Sequence, residues 1–157
     1  MAKEIERKFM IADDSWRDGA EVGSKMRQFY LVAHDAKTVR VRLKDGKKAV
    51  LTIKIGGARR SRDEFEYEIP VGDVEDLQAF AVGTVVEKTR WIARHDGLTW
   101  EIDVFEGALS GLVMAELETE DDIPDDRLPG WVGREVTGIE AYYNAVLALK
   151  GLPEKTD

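Results

Sequence analysis

A chain of 157 residues that is 43% hydrophobic and 34% charged is long enough to bury one core and too apolar to stay disordered. It has no cysteine, which excludes a disulfide scaffold, a thiolate metal centre and a cysteine nucleophile. Its formal net charge of -8 has the wrong sign for a general grip on nucleic acid, so any polyanion it binds must meet a local gathering of Lys and Arg.

In chain order, residues 3–11 alternate apolar and polar positions and predict a strand, and their charge argues against a secretory leader. Residues 13–18, around Trp16, predict a short helical piece, and residues 24–31 a second strand. Residues 38–55 read as a hairpin: Val39, Val41 and Leu43 alternate with Arg40, Arg42 and Lys44, Asp45-Gly46 turns, and Leu51, Ile53 and Ile55 alternate with Thr52 and Lys54. Gly56-Gly57 with Arg59, Arg60 and Arg62 reads as a solvated basic loop. A strand over 64–70 precedes a helix over 73–82, capped by Asp73 and stopped by Gly83. A second hairpin spans 86–105 through Asp96-Gly97, a strand follows over 112–120, and residues 121–127 form a short helical piece. A helix over 139–150 ends at Gly151 and Pro153. About eight strands result, enough to close a barrel. No repeat, linker or low-complexity tract divides residues 1–157, so one domain is expected. No apolar run approaches the ~20 residues of a membrane helix, and a cytoplasmic protein is expected.

The polar faces carry runs of one sign. Glu4 and Glu6 lead to Lys8; Arg40, Arg42 and Lys44 share a face, as do Glu64, Glu66 and Glu68. Lys88 with Arg90, Glu101 with Asp103, and Glu116 with Glu118 repeat the spacing. Residues two apart on a strand lie ~6.6 Å apart on one side, so each pair concentrates charge. Any single pair is what a solvated sheet shows, but the set is hard to attribute to solvation. Turned inward in a barrel, carboxylates suited to hard cations and Arg or Lys suited to phosphate describe a metal-polyphosphate site, with the apolar faces packed against helices outside. No Walker-type or dinucleotide glycine motif is present, and His34 and His95, near a strand end and a turn, read as surface residues. Trp16, Trp91, Trp100 and Trp131 read as core rather than as a shelf for an organic group.

The Glu4-Ile5-Glu6-Arg7-Lys8 opening, with Arg40-Val41-Arg42, Leu51-Thr52-Ile53-Lys54, Glu66-Tyr67-Glu68, Glu87-Lys88-Thr89-Arg90, the run from Glu101 to Phe105, and Ala115-Glu116-Leu117-Glu118, resembles the CYTH superfamily of triphosphate tunnel metalloenzymes. The resemblance implies an α+β, strand-dominated fold: an eight-stranded antiparallel β-barrel forming a tunnel, flanked by helices. It implies a metal-dependent hydrolase of a triphosphate-containing small molecule, foremost inorganic tripolyphosphate, using Mg²⁺ or Mn²⁺, without nucleic acid or membrane partners and compatible with a homodimer. Relatives include class IV adenylate cyclases, thiamine triphosphatases and RNA triphosphatases, and a non-catalytic polyphosphate-binding module is a further alternative. Carried over by position, Glu4, Glu6, Asp103, Glu116 and Glu118 are the expected metal ligands, and Lys8, Arg40, Arg42, Lys54, Lys88 and Arg90 the phosphate cradle. Lys8 or Lys88 assists proton transfer, alongside Glu4 and Glu6 in the catalytic set. Glu66 and Glu68 are either a second metal position or ion pairs orienting the cradle, and Tyr30 is either a phosphate donor near the tunnel mouth or a rim aromatic. The sequence departs from the family at Glu140, Ala141 and Tyr143, where relatives often carry basic residues.

Overall fold

The computed structural model describes residues 5–34, 36–56 and 63–153. Glu4 and the basic loop residues Gly57, Arg59, Arg60 and Arg62 lie outside these. The strands are β1 (Ile5–Ile11), β2 (Glu21–His34), β3 (Lys37–Lys44), β4 (Lys48–Ile55), β5 (Asp63–Ile69), β6 (Val82–His95), β7 (Leu98–Glu106), β8 (Val113–Thr119) and β9 (Val132–Glu135). Helix α1 (Asp73–Gln78) lies between β5 and β6, and α2 (Asn144–Lys150) follows β9. All strands join one sheet in the order β5-β4-β3-β2-β6-β7-β8-β1-β9, and every pairing is antiparallel. Among the described residues no helix is long and apolar enough to cross a membrane.

Both Asp-Gly hairpins form as expected. Asp45 and Asp96 take φ of 54° and 51°, and Gly46 and Gly97 follow at 66° and 74°, the left-handed pair whose twist suits a tight strand connection; Asp96-Gly97 joins His95 to Leu98 in two residues, and Asp45-Gly46 with Lys47 joins Lys44 to Lys48 in three. Among the described residues the sheet has nine strands rather than eight: β9, four residues long, pairs with β1 across an irregular register at Phe9 and Ile11. Among the described residues the ladder ends at β5 on one side and β9 on the other, and no pairing joins them.

The sheet curls. Register shifts in β2 at Val22/Ser24, Gln28/Tyr30 and Tyr30/Val32 bend the central strands. Three steps along the ladder separate β3 from β7, about 14 Å in a flat sheet, yet Arg42 and Asp103 feel each other's charge.

The outer face is apolar. Phe9, Trp16, Trp100, Ile102, Ala115, Leu117 and Trp131 bury one half of it, with Trp91 packed against them. Trp100 meets Phe9 at 5.6 Å and Trp131 at 5.3 Å between ring centroids, and Trp16 meets Trp91 at 5.8 Å, all in tilted or edge geometry. Trp16, Trp100 and Trp131 are therefore core residues with Trp91 half-buried against them, and His34 and His95 are exposed, as the sequence indicated. Phe29, Val41, Leu43 and Ala49 bury the other half beneath Val74 and Leu77 of α1. Arg27 fastens α1 through Gln78 at 2.9 Å and Glu75 at 2.8 Å.

Helix α2 departs from the expected outside position. It packs on the inner face, where Leu147 and Ala148 join Tyr30, Val86, Phe105, Leu112, Met114, Val136 and Tyr142 in a buried cluster. The helix predicted over 139–150 is split: Tyr143 is extended at φ -69° and ψ 140°, between a 3-10 turn at Glu140–Tyr142 and α2. The break sends Tyr142 into the core and leaves the Tyr143 ring 5.9 Å from the Lys8 ammonium. The shorter pieces are 3-10 turns at Asp14–Arg17, capped by the Asp13 carboxylate, and at Asp125–Arg127. Helix α1 ends at Gln78, before Gly83, and Asp73 is its first helical residue rather than its cap.

Candidate active site

Strand alternation and register decide which side chains share a face. Lys8 stands opposite Glu116, which stands opposite Glu101; Glu6 is opposite Glu118, Arg90 opposite Asp103, and Lys88 opposite Met26. Gln28 is opposite Arg42, Tyr30 opposite Arg40, Arg40 opposite Thr52, Thr38 opposite Lys54, and Thr52 opposite Glu66. All lie on the inner face, so charged side chains from seven strands turn inward together.

At the centre is Asp103, 2% exposed. Its Oδ2 accepts from Lys88 Nζ at 2.7 Å and from Arg90 Nη2 at 3.0 Å, and its Oδ1 accepts from Arg90 Nε at 2.7 Å. Arg90 also meets Glu101 at 2.6 Å and Glu116 at 3.9 Å, and Glu116 lies 3.7 Å from Lys8. Lys8 is 3.9 Å from Glu6. A connected line of alternating charge thus runs from buried Lys88 outward to the acidic end of β1.

Lys88 is the most enclosed charge of this line. Its ammonium lies 5.4 Å from the centre of the Phe105 ring, where the charged cluster meets the apolar one. Burial pushes it down to about 8, with Arg90 and Arg42 in the same direction and Asp103 opposing. Burial raises Asp103, but the neighbouring Lys88 and Arg90 outweigh it and hold the carboxyl well below its ordinary range. Arg42 is lowered to about 10, chiefly by burial and then by Arg40 and Arg90, while its Nε donates to Gln28 Oε1 at 2.8 Å. The face therefore concentrates cations that repel one another.

The expected site residues do not all meet. Lys8, Arg42, Lys88, Arg90, Asp103 and Glu116 form one cluster with Glu6 at its rim. Burial raises the Tyr30 phenol and the neighbouring Arg40 opposes it, and Tyr30 is a buried member of the apolar cluster, not an aromatic of an exposed mouth. Glu66 and Glu68 are exposed on the terminal strand β5, facing Thr52 and Val50. Lys54 is partly buried on β4, and Glu118 is exposed on β8. Glu101 was read from sequence only as half of a like-charge pair, and Gln28 and Thr52 were given no role, although each stands in the two-residue period of an inward face.

Among the described residues no three Asp, Glu or His side chains are gathered closely enough to hold an ion unaided. The donor chemistry nevertheless fits a hard divalent cation: Glu6, Glu116 and Glu118 offer carboxylate oxygens on adjacent strands, and Asp103 Oδ1 keeps a lone pair. Beside them a cleft of about 310 Å³ is lined by Thr99, Glu101, Glu118, Thr119 and Glu120.

The CYTH domain family matches residues 2–144. This chain belongs to the CYTH domain family. It is 42% identical over 148 residues to a protein from Acetivibrio thermocellus named inorganic triphosphatase, spanning 94% of each chain. A Nitrosomonas europaea protein of the same name is 39% identical over 150 residues, covering 93% of this CYTH chain and 97% of the relative. A solved structure described as an inorganic triphosphatase superposes with a TM-score of 0.72 at 34% identity, covering 98% of this chain and 99% of that one.

Proposed function

We propose that this CYTH protein hydrolyses inorganic tripolyphosphate to pyrophosphate and phosphate, with Mg²⁺ or Mn²⁺ as cofactor and residues 1–157 acting as one domain. The observation that carries the reading is the inner-face cluster of Lys8, Arg42, Lys88 and Arg90 around Asp103 and Glu116, closed at one end by the apolar cluster under α2. A triphosphate brings further anionic oxygens to cations that repel one another despite the carboxylates between them. An organic group would need space and aromatic contacts, but the tryptophans are buried in the outer face and the inner end is filled.

In the reaction, a water oxygen bonds to a terminal phosphorus as the bridging P–O bond breaks. The electron pair of that bond leaves on pyrophosphate, and the water proton passes to a basic group or to solvent. Lys8, Arg40, Arg42, Lys54, Lys88 and Arg90 bind and align the phosphoryl groups and neutralise the charge on the leaving oxygen. Glu4, Glu6, Glu116 and Glu118, with Asp103, are the residues that would hold the cation. When bound, the cation supplies Lewis-acid polarisation of phosphoryl oxygens. Asp103 has a second task, holding Lys88 and Arg90 at fixed positions through three hydrogen bonds. Lys88, lowered to about 8, is the side chain of this set nearest to neutrality at physiological pH and the proposed proton carrier.

The test is phosphate release from tripolyphosphate, ATP and thiamine triphosphate with Mg²⁺, Mn²⁺ or EDTA. EDTA-sensitive turnover that favours tripolyphosphate is expected, with a loss of at least ~100-fold in kcat for Glu116→Gln. Full metal-dependent activity in that variant would sink the assignment, and cyclic AMP formed from ATP would identify a cyclase.

A further inference from the structure

The inner face holds polar atoms that the charged cluster leaves without partners. Among the described residues, five buried side-chain atoms lack a hydrogen bond: Trp16 Nε1, Trp100 Nε1, Gln28 Nε2, Arg40 Nε and Thr52 Oγ1. The two indoles belong to the outer apolar cluster. The other three stand on adjacent strands β2, β3 and β4, on the same side as the cradle, with Gln28 opposite Arg42 and Thr52 opposite Arg40. Gln28 is 0% exposed and Thr52 is 1% exposed.

Leaving a buried donor unsatisfied costs roughly 1–3 kcal/mol. Three on one wall are therefore a standing demand for an acceptor. The geometry of Gln28 says which part of its amide is spare: Oε1 is committed to Arg42 Nε at 2.8 Å, so the NH₂ group is the unpaired end. An amide N–H, a guanidinium N–H and a hydroxyl can all donate. The ligand that satisfies them together presents several acceptor oxygens and no donors of its own, which is the chemistry of a phosphoryl group.

We propose that Gln28 and Thr52 are further triphosphate-positioning residues, two neutral donors set among the cationic positions of the cradle. The proposal rests on the functional reading above and adds to it two contacts of fixed direction. Gln28 bridges: it orients Arg42 through its oxygen and donates to a phosphoryl oxygen through its nitrogen. Neutral donors suit a wall where Arg40, Arg42 and Arg90 already repel one another, because a further cation would raise that repulsion in the empty site. Placed beside the closed end of the inner face, they discriminate for a terminal phosphate that carries no organic substituent.

The two roles of Gln28 separate in one substitution. Gln28→Glu keeps, and strengthens, the acceptor that faces Arg42, but turns the donor toward the ligand into an acceptor. Thr52→Val removes only the unpaired hydroxyl and conserves shape, so the free protein should melt at the same or a higher temperature. Binding of sodium tripolyphosphate by calorimetry in EDTA, and KM with kcat in Mg²⁺, are measured for wild type, Gln28→Glu, Gln28→Met and Thr52→Val. Expected are an increase in Kd and KM of at least about tenfold for Gln28→Glu, exceeding that for Gln28→Met, and about fivefold for Thr52→Val with an undiminished melting temperature.

If wild type binds tripolyphosphate and Gln28→Glu binds it equally well, Gln28 only orients Arg42 and its assignment falls; unchanged Kd and KM in Thr52→Val overturn the second residue. A wild-type protein that neither binds nor hydrolyses tripolyphosphate overturns the functional reading and this proposal with it. Should Gln28→Glu fail to fold, Gln28→Met still tests Gln28 through its Kd and KM, and Thr52→Val tests the second residue, since the Thr52 hydroxyl makes no hydrogen bond in the free protein.

Discussion

Asp103 shows how one side chain stabilises the fold and organises the chemistry at once. With Lys88 side chain 0% exposed and Asp103 3% exposed, their ion pair is shielded from solvent, and Arg90 makes it a triad. Removing one partner of such a group leaves an unpaired buried charge, which costs ~3–5 kcal/mol. Asp103→Asn is therefore expected to lose stability on that scale in urea unfolding, whereas Glu118→Gln, on the exposed rim, should stay within ~0.5 kcal/mol of wild type. Lys88 makes a second, pH-dependent prediction for the protein in EDTA. Its ammonium is lowered by burial from 10.5 to about 8. Between those values the unfolded chain holds a proton that the folded chain has lost, so stability rises with pH there and its cost is fully present below about 8. Unfolding free energies at pH 8 and pH 10 should rise more in wild type than in Lys88→Met. Equal slopes in the two proteins would show that the amine titrates normally. The charged members of this cluster were readable in sequence because like charges two residues apart are unusual on one strand. Gln28 and Thr52 were not, because a neutral polar residue in a strand says nothing of burial until its neighbours are placed.

At the level of elements, local signals were the most legible. The Asp-Gly pairs specified both hairpins, since those residues accept the left-handed backbone that a tight hairpin turn requires. Elements whose position depends on distant contacts were misread. The four residues of β9 have no alternation to detect, and they pair because Val136 N–H reaches Lys8 O at 2.8 Å and Ala12 N–H reaches Trp131 O at 2.8 Å. Gly83 looked like a helix stop, yet it lies inside β6 at φ 73°, and its reason for being glycine is elsewhere in the chain. A Cβ there would overlap the Ala148 carbonyl at the end of α2. Gly83→Ala must therefore displace α2 as well as accept a strained backbone, and a loss of about 2–4 kcal/mol is expected. Gly46→Ala is the control, with φ 66° and open space around its Cβ. Thermal unfolding should rank Gly83→Ala as the more damaging, and equal losses would mean that backbone strain alone matters at both sites.

The whole molecule has two apolar clusters outside the curled sheet and one inside it, and the inside one sets where the cradle ends. The family match stops at residue 144, but the inner cluster continues to Leu147, 0% exposed, and Ala148, 2% exposed. Helix α2 is therefore structural closure of the inner face rather than an appendage. Leu147→Ala opens a void against this cluster, at an expected cost of ~2–5 kcal/mol. For a domain of this size that lowers the melting temperature by roughly 4–20 °C. Because Trp16, Trp91, Trp100 and Trp131 all lie in the outer cluster, the native tryptophan emission maximum should not move. The same cluster includes Phe105, whose ring centre lies 5.4 Å from the Lys88 ammonium, so water admitted to the cluster would weaken the burial of that charge. Loss of the lysine-dependent rise in stability between pH 8 and pH 10 in Leu147→Ala would show that the apolar end of the inner face, and not the neighbouring Arg90 and Arg42 alone, holds Lys88 near neutrality. An unchanged rise would leave the lowering to the charged neighbours.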